Sequence, residues 1–548
     1  MDRRRFIRAG GAAAAGLVAV PGAALGTIAP LRSGAQAGWL LRGALVLDGS
    51  GAPGRELDVR VEGGRITEVG AGLAEAGAEV MELRGMAVAP GFIDIHSHTD
   101  RSLLSDPTAD SKVRQGVTTE VAGADGGSVA PRSEPRQADG EGEYQDLGGF
   151  FRLLETRGIG VNFASMVGAG TIRGVVVGAD DRPATEAELA RMVALVTEAL
   201  AQGACGLSTG LEYTPGGFAD LDELVALATP LRARGLPYAS HMRNEDDQLL
   251  AAIEEAVNVG IQAGVPVQVS HLKAQGTRNW WKGEPALRVI EAAREGGVDI
   301  HYDRYPYVAY STGLANLFPL WSRDGGTEAF RRRLEDPELA PRLEAEARGK
   351  VAELGSWDAV MVRSTGSSEH SWLVGRRLGE AAEERGADPY ELLKRVMLEG
   401  GGGMVGFGMS EENTERFLAH PLGMVSSDGG AQRAEAGGSP HPRSYGTFPR
   451  VLGHYVRERG IMSLETAVRK MTALPAAKLR LSDRGRVARG MAADLVVFDP
   501  ATVADRATFE APHQHPVGVP HVMVNGVWAV RDGEVRGARS GAVLRPGS

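Results

Sequence analysis

Apolar positions along this chain follow two periods. Residues 40–47 and 58–61 are short apolar or alternating runs bounded by glycine-rich turns, including Glu62-Gly63-Gly64-Arg65. The texture returns near the other end, in 493–500 and in 521–528, which turns at Asn525-Gly526, a hairpin signal. These runs predict strands. Their location predicts one small β-sandwich domain built from both chain ends, residues 38–89 and 483–548.

Between these ends the period lengthens to that of a helix. Thr185-x-x-Glu188 is a capping box, Leu189, Met192, Val193, Val196 and Leu200 share one face, and Gly203 suits the stop. A second helix runs through Leu221, Leu224, Val225 and Ala228 to Arg234, with Gly235 as its stop and Pro230 as an expected kink. A third covers 247–263 before Gly264. Apolar runs follow at 236–240, 265–270 and 298–302, and much later at 423–427. Strands bridged by helices must be parallel. The expectation is therefore an α/β chain whose residues 90–482 form a (β/α)₈ TIM-like barrel, with an insertion near 280–358, where the spacing exceeds one unit.

Polar residues at the ends of these runs carry the candidate chemistry. The apolar stretch 88–95 ends in His96-Ser97-His98. On a strand, residues i and i+2 share a face, so both imidazoles can grip one divalent ion at about 2.0–2.1 Å. A surface pair on a loop is the plainer alternative. His241 and His271 close two successive strands, thirty residues apart; Asp125 follows the β-branched run 117–121, and Asp428 follows 423–427. Active sites of such barrels lie at the C-terminal ends of the strands. Four histidines and two carboxylates at that face predict a centre for one or two metal ions.

Composition narrows the function class. The chain has 548 residues, 43% of them hydrophobic, and a net charge of −10 without a dense basic stretch after the N-terminus, which argues against nucleic acid as a partner. The one cysteine, Cys205, excludes an intramolecular disulfide and reads as a small buried residue. Arg3-Arg4-Arg5-Phe6-Ile7-Arg8, a weakly apolar Ala/Gly run and Ala35-Gln36-Ala37 resemble a twin-arginine export signal over 1–37. A periplasmic or secreted protein is expected, with no membrane attachment after export. The oligomeric state is left open.

Taken together, the motifs resemble the amidohydrolase superfamily and, within it, the D-aminoacylase (N-acyl-D-amino-acid deacylase) family. They are residues 90–98, Gln115-Gly116-Val117-Thr118-Thr119, Gly206-Leu207-Ser208-Thr209-Gly210-Leu211-Glu212-Tyr213, His241-Met242-Arg243, Ser270-His271-Leu272-Lys273, Ser427-Asp428-Gly429, His441-Pro442-Arg443-Ser444-Tyr445-Gly446 and 493–498. The resemblance implies zinc, one ion or two, with His241 and His271 on the principal ion and His96 and His98 on a second. It implies Asp428 as general base and then acid. Lys273, Arg443 and a tyrosine of Tyr305-Pro306-Tyr307, with Tyr305 the first candidate, would hold the α-carboxylate of a small N-acyl amino acid. Two positions depart from the family. Its bridging cysteine, in a Gly-Asn-Cys-Gly turn, is Asp125 of Gly123-Ala124-Asp125-Gly126 here, and its Gly-His-Gly-Thr run is Gly168-Ala169-Gly170-Thr171. A carboxylate can also bridge two cations, with a shift towards metals that favour oxygen. Alternative readings are a dipeptidase or cyclic-amide hydrolase of the same superfamily, and an exported binding protein without catalysis.

Overall fold

The computed structural model describes residues 38–138 and 142–546; the expected export signal lies outside them. Both chain ends do meet in one nine-stranded sheet. Strand Ala87–Pro90 of the first half pairs antiparallel with Leu495–Phe498 of the second, Leu495 opposite Pro90 and Phe498 opposite Ala87. The sheet's apolar face buries Leu41, Val59, Val88, Val497 and Met523. Trp39 and Trp528, almost five hundred residues apart in sequence, meet edge to face at 5.4 Å. The Asn525-Gly526 turn joins Val524 to Val527 with positive φ at both turn residues, the twist a tight hairpin requires.

The barrel strands are β1 (Phe92–Asp94), β2 (Val117–Ala122), β3 (Asn162–Ser165), β4 (Leu207–Gly210), β5 (Tyr238–His241), β6 (Val267–Val269), β7 (Ile300–Arg304) and β8 (Gly423–Val425). Pairing is parallel throughout, with the short strand Val167–Gly168 carrying the edge after β3 over to β4. A parallel bridge from Ser97 to Gly429 closes the circle beyond the ends of β1 and β8. All eight strands are buried, as two-sided coverage by the barrel interior and the helices demands.

Several helices follow the sequence pattern closely. Glu186–Gln202 has both hydrogen bonds of the Thr185/Glu188 capping box and ends at Gly203 with φ 110°. The second helix differs: it is α-helical only over Leu221–Ala228, and Pro230 lies in the 3₁₀ turn Thr229–Arg234. Proline lacks the N–H that the α ladder needs, so the helix changes type there. The expected strand reaching His96 stops at Asp94, and β6 stops two residues before His271. The insertion overlaps the expected segment but starts later and runs further. Gly283–Glu295 is an ordinary barrel helix leading into β7. The extra domain follows β7, over about 305–409. It has a three-stranded antiparallel sheet in which Gly402–Phe407 runs between Ala309–Gly313 and Val360–Thr365. Its separate core holds Phe318, Phe330, Leu343 and Leu393.

Closure rests on one buried cation. Lys112, fully buried, donates from Nζ to Asp94 Oδ2 on β1 (2.8 Å), to Ser427 Oγ (2.7 Å) and to Gly429 O (2.8 Å), and lies 3.0 Å from Glu120 Oε1 on β2. Removing one partner of a buried pair leaves an uncompensated charge, at a cost of about 3–5 kcal/mol. Lys112→Met is therefore expected to lower the midpoint of thermal unfolding clearly and to loosen the segment around Asp428. A melting curve and metal content matching the native protein would contradict this account of closure.

Candidate metal centre and active site

The histidine pair and Asp428 are assembled by backbone contacts. Asp428 N donates to His96 O (2.9 Å), and His98 N donates to Gly429 O (3.2 Å). Asp125 follows β2 in the left-handed region (φ 52°), as do His271 (35°) and Asp428 (49°). Such conformations cost about 1–3 kcal/mol each outside glycine and concentrate at functional sites. Aspartate tolerates this region better than most residues. The neighbouring chain leaves no room to relax: a Cβ on Gly210 would stand 2.1 Å from Asp125 O, and one on Gly168 2.3 Å from Gly126 O. Ala169, where the family has histidine, is buried among apolar side chains.

The side chains then converge. His96 Nε2 lies 3.3 Å from Asp125 Oδ1, and His98 Nε2 lies 3.4 Å from Asp125 Oδ2 and 3.1 Å from Asp428 Oδ1. On the other side His271 Nε2 is 3.4 Å from Asp125 Oδ1, and His241 Nδ1 is 3.8 Å from Asp125 Oδ2 and 2.8 Å from His271 Nε2. Two donor groups result, His96–His98–Asp125–Asp428 and Asp125–His241–His271, with Asp125 common to both. A tetrahedral shell with ligands at about 2.0–2.1 Å has edges of roughly 3.3–3.4 Å, close to most of these separations. His96 Nε2 and Asp125 Oδ1 are buried and have no hydrogen-bond partner among the described residues. Buried polar atoms are normally satisfied, so these two fit a missing cation. Glu212, His241 and Glu245 form a third group, but Glu245 is held by Lys273 (2.6 Å) and Gln275 (2.7 Å).

A second layer orients the imidazoles. In three of the four rings the nitrogen turned away from the centre faces a carboxylate: His96 Nδ1 lies 3.2 Å from Asp303, His271 Nδ1 3.1 Å from Glu245, and His241 Nε2, which makes no hydrogen bond among the described residues, 3.5 Å from Glu212. Such partners fix ring orientation and raise ligand basicity. None of the three was singled out in the sequence. Asp303 was the most accessible of them, since it lies on β7, one residue beyond the run read as a strand.

Of the expected carboxylate binders, Lys273 and Arg443 line a cavity of about 690 Å³ above the centre, together with Asp125, Asp428, His241 and His271. Arg443 Nη1 donates to Asp428 Oδ2 (2.6 Å), and Lys273 Nζ lies 2.7 Å from His271 Nδ1 as well as on Glu245. Tyr305 stands behind this surface, fully buried, with its ring 4.8 Å from the Arg443 guanidinium and its hydroxyl without a partner among the described residues. Cys205 is remote from this chemistry; it packs with Val121 and Met166, and burial pushes its thiol up to about 12.

Electrostatics follow from crowding. Burial opposes charge at His96, His98 and His241, yet nearby carboxylates outweigh it there. Asp125 and Asp428 push His98 up to about 9, Glu245 and Asp125 push His241 up to about 10, and His96 is raised well above its ordinary value by Asp125 and Asp303. In turn, against the same burial, His96 and His271 hold Asp125 far below the usual carboxylate range, and Arg443 and His98 do the same for Asp428.

A barrel with His-x-His beyond β1, histidines at the ends of β5 and β6 and an aspartate after β8 defines a metal-dependent amidohydrolase. Residues 414–530 match the model of the amidohydrolase family. The chain is 38% identical to the D-aminoacylase of Alcaligenes xylosoxydans xylosoxydans over 92% of its own length and 97% of the relative's. It is also 38% identical to the N-acyl-D-aspartate deacylase of that organism, over 94% and 96%. The solved structure of the N-acyl-D-glutamate deacylase from Bordetella bronchiseptica, complexed with zinc and a phosphonate mimic of the tetrahedral intermediate, superposes with a TM-score of 0.78 at 34% identity, covering 92% of this chain and 99% of that one. The chain belongs to the D-aminoacylase family of amidohydrolases.

Imidazoles that hold protons at neutral pH must release them to bind a metal. Zinc binding to the metal-free protein is therefore expected to release more than one proton per chain at pH 7, and to tighten as pH rises towards 9. Calorimetry in buffers of different ionisation enthalpy measures both; proton release near zero and pH-independent affinity would contradict the charge balance described.

Proposed function

We propose that the protein hydrolyses the amide bond of N-acyl-D-amino acids, releasing the D-amino acid. The observation that carries this reading is the convergence of four imidazoles and two carboxylates beneath a cavity that also holds Lys273 and Arg443, cations suited to a carboxylate beside the scissile amide. When bound, a divalent ion such as zinc supplies Lewis-acid polarisation of the acyl carbonyl and lowers the pKa of water. Asp428 takes the proton from the attacking water and delivers it to the leaving amine. Its Oδ2 is engaged by Arg443 and its Oδ1 faces His98, which fixes the carboxyl group in one orientation over the centre. The D preference rests on membership of the family. Export through the twin-arginine route is part of the same proposal, supported by the sequence pattern of 1–37.

Two substitutions test the assignment. Asp428→Asn keeps the His241–His271 donors and is expected to reduce turnover by about 10²–10⁴-fold at full metal loading; near-native turnover would remove Asp428 from the mechanism. Asp125→Asn removes the anion common to both donor groups, so metal content and rate on an N-acetyl-D-amino acid should fall together. Asp125→Cys, which restores a zinc ligand type, should retain more metal than the asparagine variant. If Asp125→Asn kept native metal stoichiometry and rate, the bridging role would be lost. Equal or faster hydrolysis of N-acetyl-L-amino acids would overturn the stereochemical part.

A further inference from the structure

The cations lining the catalytic cavity are unequally engaged. Lys273 is bonded to Glu245, Lys350 to Asp246 and Arg443 to Asp428. Arg101 is solvent-exposed at the rim. Arg363 differs from all of these. It projects from the insertion strand Val360–Thr365 into the same cavity, its Nε is buried, and among the described residues that nitrogen has no hydrogen-bond partner and the guanidinium no carboxylate within ion-pair distance.

Its position is built rather than incidental. The guanidinium lies against the neighbouring strand where Gly403 leaves it space; a Cβ on Gly403 would stand 2.6 Å from Arg363 Nη2. The backbone carbonyl of Arg363 accepts from Ser439 N (3.1 Å), tying this strand to the loop before Arg443. Burial first, and then the field of Arg443, lowers the Arg363 guanidinium from its ordinary value, so two like charges face one region and only Arg443 has an anion to offset it. Arg443 touches Asp428, whereas Arg363, on the insertion strand, makes no ion pair with a carboxylate of the metal centre. A second recess of about 370 Å³ shares Arg363, Gln432 and Pro440 with the cavity and is also lined by the hydroxyl residues Ser364, Thr365, Ser367 and Ser368.

We propose that Arg363 is a specificity-determining residue that binds a second carboxylate, at the end of the substrate's side chain, so that the preferred substrates are N-acyl derivatives of acidic D-amino acids. This rests on the deacylase reading above. A half-buried guanidinium with a buried, unpaired Nε and no anion beside it is a site that a side-chain carboxylate can complete, and planar bidentate pairing suits that partner. A neutral isostere leaves the cation unpaired, which is how a polar site rejects it.

N-acetyl-D-glutamate and N-acetyl-D-glutamine isolate the effect, because they differ only in that charge. With zinc-loaded full-length protein, the native chain is expected to favour the glutamate derivative in kcat/KM. Arg363→Met should reduce that preference by about 10²-fold, chiefly through KM for the glutamate derivative, and Arg363→Lys should restore part of it. Melting temperature and zinc content of both variants verify that the fold is retained. An unchanged preference in Arg363→Met, whether both substrates slow equally or neither does, would overturn the proposal; the equal slowing would assign Arg363 to the α-carboxylate. Calorimetric titration with N-acetyl-D-glutamate separates the two readings. Binding that weakens in Arg363→Met while neither substrate turns over would support the Arg363 site and sink the deacylase reading. No binding to the native protein would overturn the Arg363 site itself.

Discussion

Barrel closure and assembly of the metal centre are one set of contacts in this protein. The strand circle ends where the His96–His98 segment meets the Asp428–Gly429 segment, through Asp428 N to His96 O and His98 N to Gly429 O. Lys112 binds the two sides from below, joining Asp94 of β1 to Ser427 and Gly429. The fold therefore cannot close without bringing the histidine pair to Asp428. A cation buried among Asp94, Glu120 and two oxygen acceptors is stabilising only when every partner is present, which makes closure all-or-none rather than graded.

Asp125 is the second constraint. It stands between the two histidine pairs, and the chain around it is packed too closely for the turn to shift, with Gly168 and Gly210 against its backbone. In the left-handed conformation its carboxylate presents one oxygen to His96 and His271 and the other to His98 and His241. The thiolate of the family's cysteine offers a single soft atom; the carboxylate offers two hard ones. The same turn position therefore offers harder donors to a metal, and Asp125 is among the carboxylates that raise His96, His98 and His241.

Much of this arrangement was legible in the chain because it depends on local signals. The capping box at Thr185, the Asn525-Gly526 hairpin and the strand-end placement of His241 all follow from short-range rules. What was not legible depends on tertiary packing. The insertion was expected at 280–358 because length was the only clue; it overlaps that span but begins only after the barrel helix Gly283–Glu295 and β7, and it runs on to about 409. Asp303, Glu212 and Glu245 are recognisable only once a histidine is turned towards them. Tyr305 carried a motif but lies behind Arg443, and Arg363 carried none, because its unpaired charge is a property of what surrounds it.

The central claim is that Asp125 is the shared ligand of the metal centre, and anomalous diffraction at the zinc edge from crystals of the zinc-loaded protein addresses it most directly. The account predicts an ion held by His241 and His271 with an Asp125 oxygen at about 2.0–2.2 Å, and any second ion between His96 and His98 also touching the Asp125 carboxylate. Zinc held by the histidines with the Asp125 carboxylate turned away, or zinc at Glu212 and Glu245 instead, would contradict it.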